Sequence, residues 1–270
     1  MHKRIRLNAA ALAGLLIILF FLIIAVFAPV IAPYDPKEMI ASYLPPSREH
    51  LLGTNDVGQD IFSEMVYGTR VSLYIGIFAA FIVTGVGTVL ALVSGYFGGV
   101  TDKIITAITN IAMAVPSLPL TVLLVAYLNP GKWSLIIAIS VTAWTGTARI
   151  LRSRVMQLKE LPFIKIEKTM GVHPVVILFK HILPNIKDII VTRGAMAISG
   201  AMMTEAGLSF LGLGEFGEKS WGSVLHYAFF RNSIMKKQYW WYVPPIICIC
   251  VCVFGFMLIG YYGKIKKGGE

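Results

Sequence analysis

Charge is scarce in this sequence. Asp, Glu, Lys and Arg make up 14% of its 270 residues against 56% hydrophobic residues, far outside the composition of soluble globular chains. Such a chain belongs in a bilayer. Cysteine is scarcer still: Cys248, Cys250 and Cys252 alternate within one apolar run, and successive ones on a helix point about 200° apart. They cannot share a metal and read as small apolar fillers. No cluster of His, Asp or Cys has metal-ligand or nucleophile spacing, which leaves a membrane-embedded enzyme without a centre. The phosphate-binding pattern GxxxxGK[ST] is also missing, so any ATP hydrolysis belongs to a separate polypeptide.

What is present is apolar and long. At roughly 20 residues per span the chain accommodates about six transmembrane helices, an all-α membrane protein. Apolar runs predict helices near 12–32, 71–97, 104–128, 133–149, 189–211 and 239–262. The first run has an apolar part too long for a cleavable signal peptide and no convincing cleavage site, so it is expected to stay as an anchor. The sequence divides into a tail and first helix over 1–32, an extracytoplasmic segment over 33–70, and a five-helix core over 71–270 that carries a cytoplasmic loop at 150–188.

Basic residues set the expected orientation. With the N-terminus inside, 16 of the 24 Lys and Arg residues fall on the cytoplasmic side, among them Lys3, Arg4, Arg6, Lys103, Arg149, Lys165, Lys264, Lys266 and Lys267. Both termini are then cytoplasmic, and the net charge of +10 needs no nucleic-acid partner, since it faces membrane lipid from the inside.

Within the cytoplasmic loop, "IKIEKTMGVHPVVILFKHILPN" (164–185) breaks the apolar pattern. Pro162 suits the first turn of a short helix, Gly171 ends it as a glycine beyond the C-cap does, and Pro174 starts a second helix. Val175, Leu178, Phe179 and Ile182 recur on one side of that second helix, away from Lys180 and His181. Two readings fit: a pair of helices lying on anionic lipid, or a knuckle that docks on a cytoplasmic protein.

The residues here carry a resemblance. Gly171 followed by Ile182, Leu183, Pro184 and Asn185 resembles the cytoplasmic "EAA" loop of ATP-binding-cassette importer permeases. "LLGTNDVGQDIFSEMVYGTRVSLYIG", "SGYFGG", "MAVPSLPL", "EAGLSFLGLG" and "SWGSVL" resemble successive blocks of the dipeptide, oligopeptide and nickel importer permeases, of the second of their two subunit types. The likeness runs from about residue 33 to the C-terminus. It implies a type I importer permease fold, a second permease subunit, two ATPase subunits that carry ATP and Mg, and an extracytoplasmic solute-binding protein. This chain itself is then expected to hold no cofactor and no metal. The loop residues Lys165, Glu167, Gly171, Val172, His173, Pro174, Leu183 and Pro184 become the contact with an ATPase subunit. One departure stands out: Lys165 occupies the place of the family's usual acid, and Glu167 follows two residues later. The implied cargo is a di- or oligopeptide, with nickel or a metal chelate, glutathione and short oligosaccharides as alternatives. An ion-coupled secondary transporter is the rival of another class, and it lacks intramembrane charges to couple an ion.

Further features complete the reading. Gly212 to Gly217 match GxGxxG but lead into no βαβ unit, so they form a turn and no dinucleotide site. Gly87, Ala91, Gly95 and Gly99 put a small-residue stripe on the second helix. Pro116 and Pro119 must interrupt the third helix, and a kink beside the pathway is expected there. Glu205, the one acid inside a span, either lines the pathway or anchors the turn that follows it. Ser199, Met202 and Met203 are expected as pathway walls, and Trp221 as a contact for the binding protein or a gate of the path.

Overall fold

The structure, a computed structural model, describes residues 8–263, and among these it is helical apart from one isolated bridge between Thr54 and Asp60. Lys3, Arg4, Arg6, Lys264, Lys266 and Lys267, on which part of the expected orientation rests, lie outside the described residues, as do both termini. Helix α1 (Ala9–Val26) and the one-turn α2 (Ala28–Ile31) lead into a segment without helix, and α3 follows (Ile61–Phe97). Next come α4 (Gly99–Ala114), α5 (Ser117–Leu128), α6 (Lys132–Lys159) and the short α7 (Pro162–Thr169). A turn of α8 (Pro174–Val176) then passes through a π-helical stretch (Ile177–Ile182) into α9 (Leu183–Phe210), before α10 (Trp221–Phe230) and α11 (Tyr239–Tyr262).

Four helices, α1, α3, α6 and α11, are long and apolar enough to cross a membrane, and the α4–α5 pair makes a fifth if counted as one broken span. Helix α9 is too polar to qualify on composition, yet its 28 residues cover about 42 Å at 1.5 Å per residue, and it packs between α3 and α11. Six crossings therefore fit, with the polar one supported by its neighbours.

Several boundaries differ from the apolar runs. Helix α3 starts at Ile61 and not near 71, because the Asp60 side chain caps it by accepting from the Ser63 N–H at 2.8 Å. Glu64 and Arg70 hide that first turn from a hydropathy reading. Helix α6 likewise continues past 149 to Lys159, its basic last turns reaching beyond the apolar stretch. The expected third helix is no kinked rod: α4 and α5 meet at 87°. Val115 before Pro116 takes an extended conformation (φ −80°, ψ 128°), as the proline ring requires of its predecessor, and the helix cannot continue.

Close contacts order the bundle. Gly87 and Gly95 on α3 lie against Thr147 and Val155 of α6, where an added Cβ would come within 2.9 and 2.8 Å of the neighbouring side chains. The small-residue stripe thus seats α6 on α3, except at Gly99, whose Cβ position meets nothing within 4 Å. Gly14 abuts Gly255, so α1 runs antiparallel to α11. As a result the ends of α3, α6 and α11, the starts of α1 and α9, and the 160–182 loop gather at one end of the bundle. The 33–60 segment, the 129–131 turn and residues 211–238 gather at the other.

Candidate functional site

The loop end of the bundle is built on a compact apolar cluster in which Leu92, Val155 and Leu158 meet Ile164, Ile177 and Ile182. Helix α7 lies on this cluster by one face and ends in a tight turn. The Val172 N–H donates to Glu167 O and the Gly171 N–H to Lys168 O, and Gly171 takes φ +75°, the left-handed conformation expected of it. His173 caps the next turn, its Nδ1 accepting from the Val175 N–H at 3.4 Å, with Pro174 as the first residue.

Two side-chain contacts brace the loop. Glu167 Oε1 lies 2.8 Å from His181 Nε2, which ties α7 to the π-helical stretch, while the other Glu167 oxygen is buried without a partner. Lys165 pairs with Glu160 at 2.9 Å, both well exposed, and the Lys165 ammonium holds the Glu160 carboxyl below its ordinary range. Phe163, Ile166, Met170, Val175 and Phe179 remain exposed around this frame, with Lys165, Lys168 and Lys180 among them. Among the described residues nothing covers that apolar surface.

The second helix of the loop does not end at Leu183-Pro184 as its sequence suggests. The backbone runs unbroken from Pro174 into α9, with Leu183 partly buried and Pro184 exposed. A proline lacks an N–H and its ring crowds the carbonyl four residues back; the widened π-helical turn just before it makes room. Asn185 Nδ2 then donates to His181 O at 2.6 Å, giving a partner to a carbonyl at the disturbed turn.

In its second half helix α9 presents an exposed strip, Gly200, Met203 and Gly207, with Thr204 partly exposed. Beside it the α4–α5 break forms a recess of about 420 Å³, into which Thr121, Thr142, Thr145 and Thr204 bring hydroxyls. Of the expected wall residues, Met203 is on this strip at 59% exposure. Ser199 and Met202 are not. Both are 2% exposed and face the interior, Ser199 donating to the Val253 carbonyl at 3.3 Å and Met202 filling the space over Gly76. Met202 points about 100° away from its neighbour Met203, whereas Ser199, one turn before Met203, lies at the buried edge of the strip, which the composition of the segment did not reveal.

Glu205 is fully buried, its oxygens accepting from Ser72 Oγ at 3.1 Å and Ser209 Oγ at 2.7 Å. It anchors, but through serine hydroxyls and not through the backbone N–H groups of the turn after it. Trp221 corrects a further expectation. At 0% exposure it cannot meet a binding protein on the surface; its Nε1 donates to Met65 O at 3.1 Å and its ring stands edge-on to Phe21 at 5.2 Å. The Trp221 N–H also reaches Ser72 Oγ at 3.3 Å, so Trp221, Ser72 and Glu205 join α10, α3 and α9.

Two features at the other end had no clear signal in the sequence. Glu64 and Lys219 form a buried pair at 2.6 Å, supported by Asn55 and Gln59. A cleft of about 860 Å³ opens beside it, lined among others by Lys37, Arg70, Trp133 and Glu218. Arg193, one of the 16 basic residues expected on the cytoplasmic side, lies inside α9.

Comparison with known proteins agrees with this architecture. Residues 87–263 match the family described as the binding-protein-dependent transport system inner membrane component, and residues 1–46 match the N-terminal TM domain of oligopeptide transport permease C. The oligopeptide transport system permease protein OppC of Bacillus subtilis is 37% identical over 95% of this chain and 84% of its own length. The dipeptide transport system permease protein DppC of the same species is 33% identical over 96% and 81%, respectively. The glutathione transport system permease protein GsiD of Pectobacterium atrosepticum is 34% identical over 96% of this chain and 86% of its own. Among solved structures, a chain of the MetNI methionine ABC transporter in an inward-facing conformation matches with a TM-score of 0.60. It covers 74% of this chain and 94% of that one at 18% identity, a likeness of fold alone.

Proposed function

The chain belongs to the family of binding-protein-dependent transport inner-membrane components, a multi-pass permease of the inner membrane, and from that premise we propose that it imports di- or oligopeptides as one of two permease subunits. Two ATPase subunits supply ATP and Mg chemistry on the cytoplasmic side, and a solute-binding protein delivers cargo from outside. The observation that carries this reading is the uncovered apolar surface of the 160–182 loop, held rigid by the Gly171 turn and the Glu167–His181 pair. A rigid apolar knuckle ringed by lysines fits a cleft on a protein better than a lipid surface, on which a helix would lie flat along its apolar stripe.

In this reading Gly171, Val172, His173 and Pro174 form the tip that enters the ATPase cleft, with Leu183 and Pro184 at its root. Lys165 and Glu167 differ in task. Glu167 shapes the knuckle from within, whereas exposed Lys165 meets the partner. The strip of Gly200, Met203, Thr204 and Gly207, with the threonine-lined recess, forms this subunit's share of the pathway. The excess of Lys and Arg at the loop end supports a cytoplasmic loop, with both termini on the same side in this reading.

Glutathione, itself a tripeptide, is the second reading for cargo, supported by the likeness to GsiD. A secondary carrier is disfavoured because Glu205, the acid available in a span, is buried and committed to two serines. Reconstitution with the candidate partner subunits tests the proposal: uptake of a peptide must require ATP and both ATPases. Uptake that persists without them overturns it.

A further inference from the structure

Arg193 carries a charge that no ion pair among the described residues answers. Its Nη1 points to the Met196 sulfur at 3.6 Å, its Nε is buried with no partner, and no ion pair includes it among the described residues. It lies ten residues into α9. Its neighbour Gly194 lies against Thr84 of α3, 13 residues before the end of that helix, while Thr192 and Met196 lie against Gly260, two residues before the end of α11. A guanidinium stays charged, and with its Nε buried it is costly unless it faces protein or water and meets an anion.

Its position on α9 says which way it faces. Counting at 3.6 residues per turn, Arg193 shares a face with Gly200 and Thr204, the exposed strip already described. Across from it, Gly146 of α6 has no side chain, and a Cβ there would stand 3.6 Å from Arg193 Nη2. Thr142 and Thr145, four residues and one residue before Gly146 on α6, line the recess at the α4–α5 break. The recess, Gly200 and Thr204 of the strip, and the Arg193 guanidinium thus lie along one face of α9.

On the reading of this chain as a peptide permease, we infer that Arg193 is a specificity-determining residue that receives the carboxylate of the passing peptide. The guanidinium fork matches a carboxylate in a two-pronged geometry that an ammonium cannot copy, and it makes no demand on the peptide's side chains. Every unblocked peptide has such a group, so one cation in the pathway favours peptides as a class while leaving their sequence free.

The test uses the assembled importer in liposomes, its binding protein saturated with trialanine or with the C-terminal amide of trialanine. The wild type is expected to take up the free acid about tenfold faster than the amide, the scale of one charge-assisted hydrogen bond. Arg193→Gln should slow the acid to the rate of the amide and leave the amide unchanged, which also shows that the variant folds. Arg193→Lys should keep a reduced preference. Equal slowing of both peptides by Arg193→Gln, or loss of the second permease subunit from the Arg193→Gln complex, overturns the inference, since the guanidinium then serves structure or pairs with a carboxylate of that subunit. Failure of the wild type to take up either peptide would instead overturn the reading of the cargo.

Discussion

Glu64 and Lys219 meet at 2.6 Å with side-chain exposures of 2% and 13%, joining the first turn of α3 to the loop before α10. Lys219 also donates to Gln59 Oε1 at 2.8 Å and Asn55 to Glu64 at 2.9 Å, so the helix-free 33–60 segment hangs on the same pair. Breaking one side of such a pair leaves a buried charge uncompensated, which costs about 3–5 kcal/mol. Lys219→Met should therefore lower the thermal midpoint of the detergent-purified protein sharply, whereas Glu64→Leu with Lys219→Met should regain most of it. A double variant no more stable than the single one would show that the charges themselves are not the issue.

Trp221 makes the opposite kind of prediction, because its job is in the core. Trp221→Ala should destabilise the protein by about 3–5 kcal/mol, the cost of emptying a large buried site. The affinity of any folded fraction for the binding protein should not change. Weakened binding with an unchanged melting temperature would mean that the indole reaches the surface during transport.

At Gly171 an added side chain meets no atom within 4 Å, so only the backbone resists it. A non-glycine residue at φ +75° is strained by about 1–2 kcal/mol, and a β-branched one by more. Gly171→Val should leave the protein in the membrane but abolish ATP-driven uptake, with Gly171→Ala intermediate in an uptake assay. Lys165→Glu places like charge beside Glu160 and should loosen the ATPase complex only mildly, read as a small rise in its dissociation constant. Full uptake by Gly171→Val with the ATPases bound would leave the loop as a passive hairpin.

Labelling decides the orientation. Ser47 and Gln157 are both exposed and lie at opposite ends of the bundle. A cysteine at Ser47 should react with an impermeant thiol reagent added outside, and one at Gln157 only after the membrane is opened; the reverse pattern would invert the whole assignment.

Much of this was legible in the chain before its structure. The α11 span, the short α7, and the need for glycine at 171 followed from apolar period and from the chemistry of Gly and Pro. What stayed hidden was hidden for physical reasons. Hydropathy cannot see a helix turn capped by Asp60 and built on a charged residue such as Glu64, whose partner Lys219 is distant in sequence. Nor does a Met-rich, small-residue segment say which side faces inward: Met202 and Met203 are neighbours, and one is core while the other is surface. Pro184 looked like a stop because a proline usually is one, and only a widened turn ahead of it allows the helix to pass.

That widened turn has a mechanical meaning. From Pro174 to Phe210 the backbone has no loose joint, so these residues act as one shaft about 55 Å long at 1.5 Å per residue. Torque applied beside Gly171 travels along the shaft to the strip where Arg193 and Met203 sit, without a flexible coupling in which it could be lost. A helix that stopped at Leu183 would have isolated the two ends from each other.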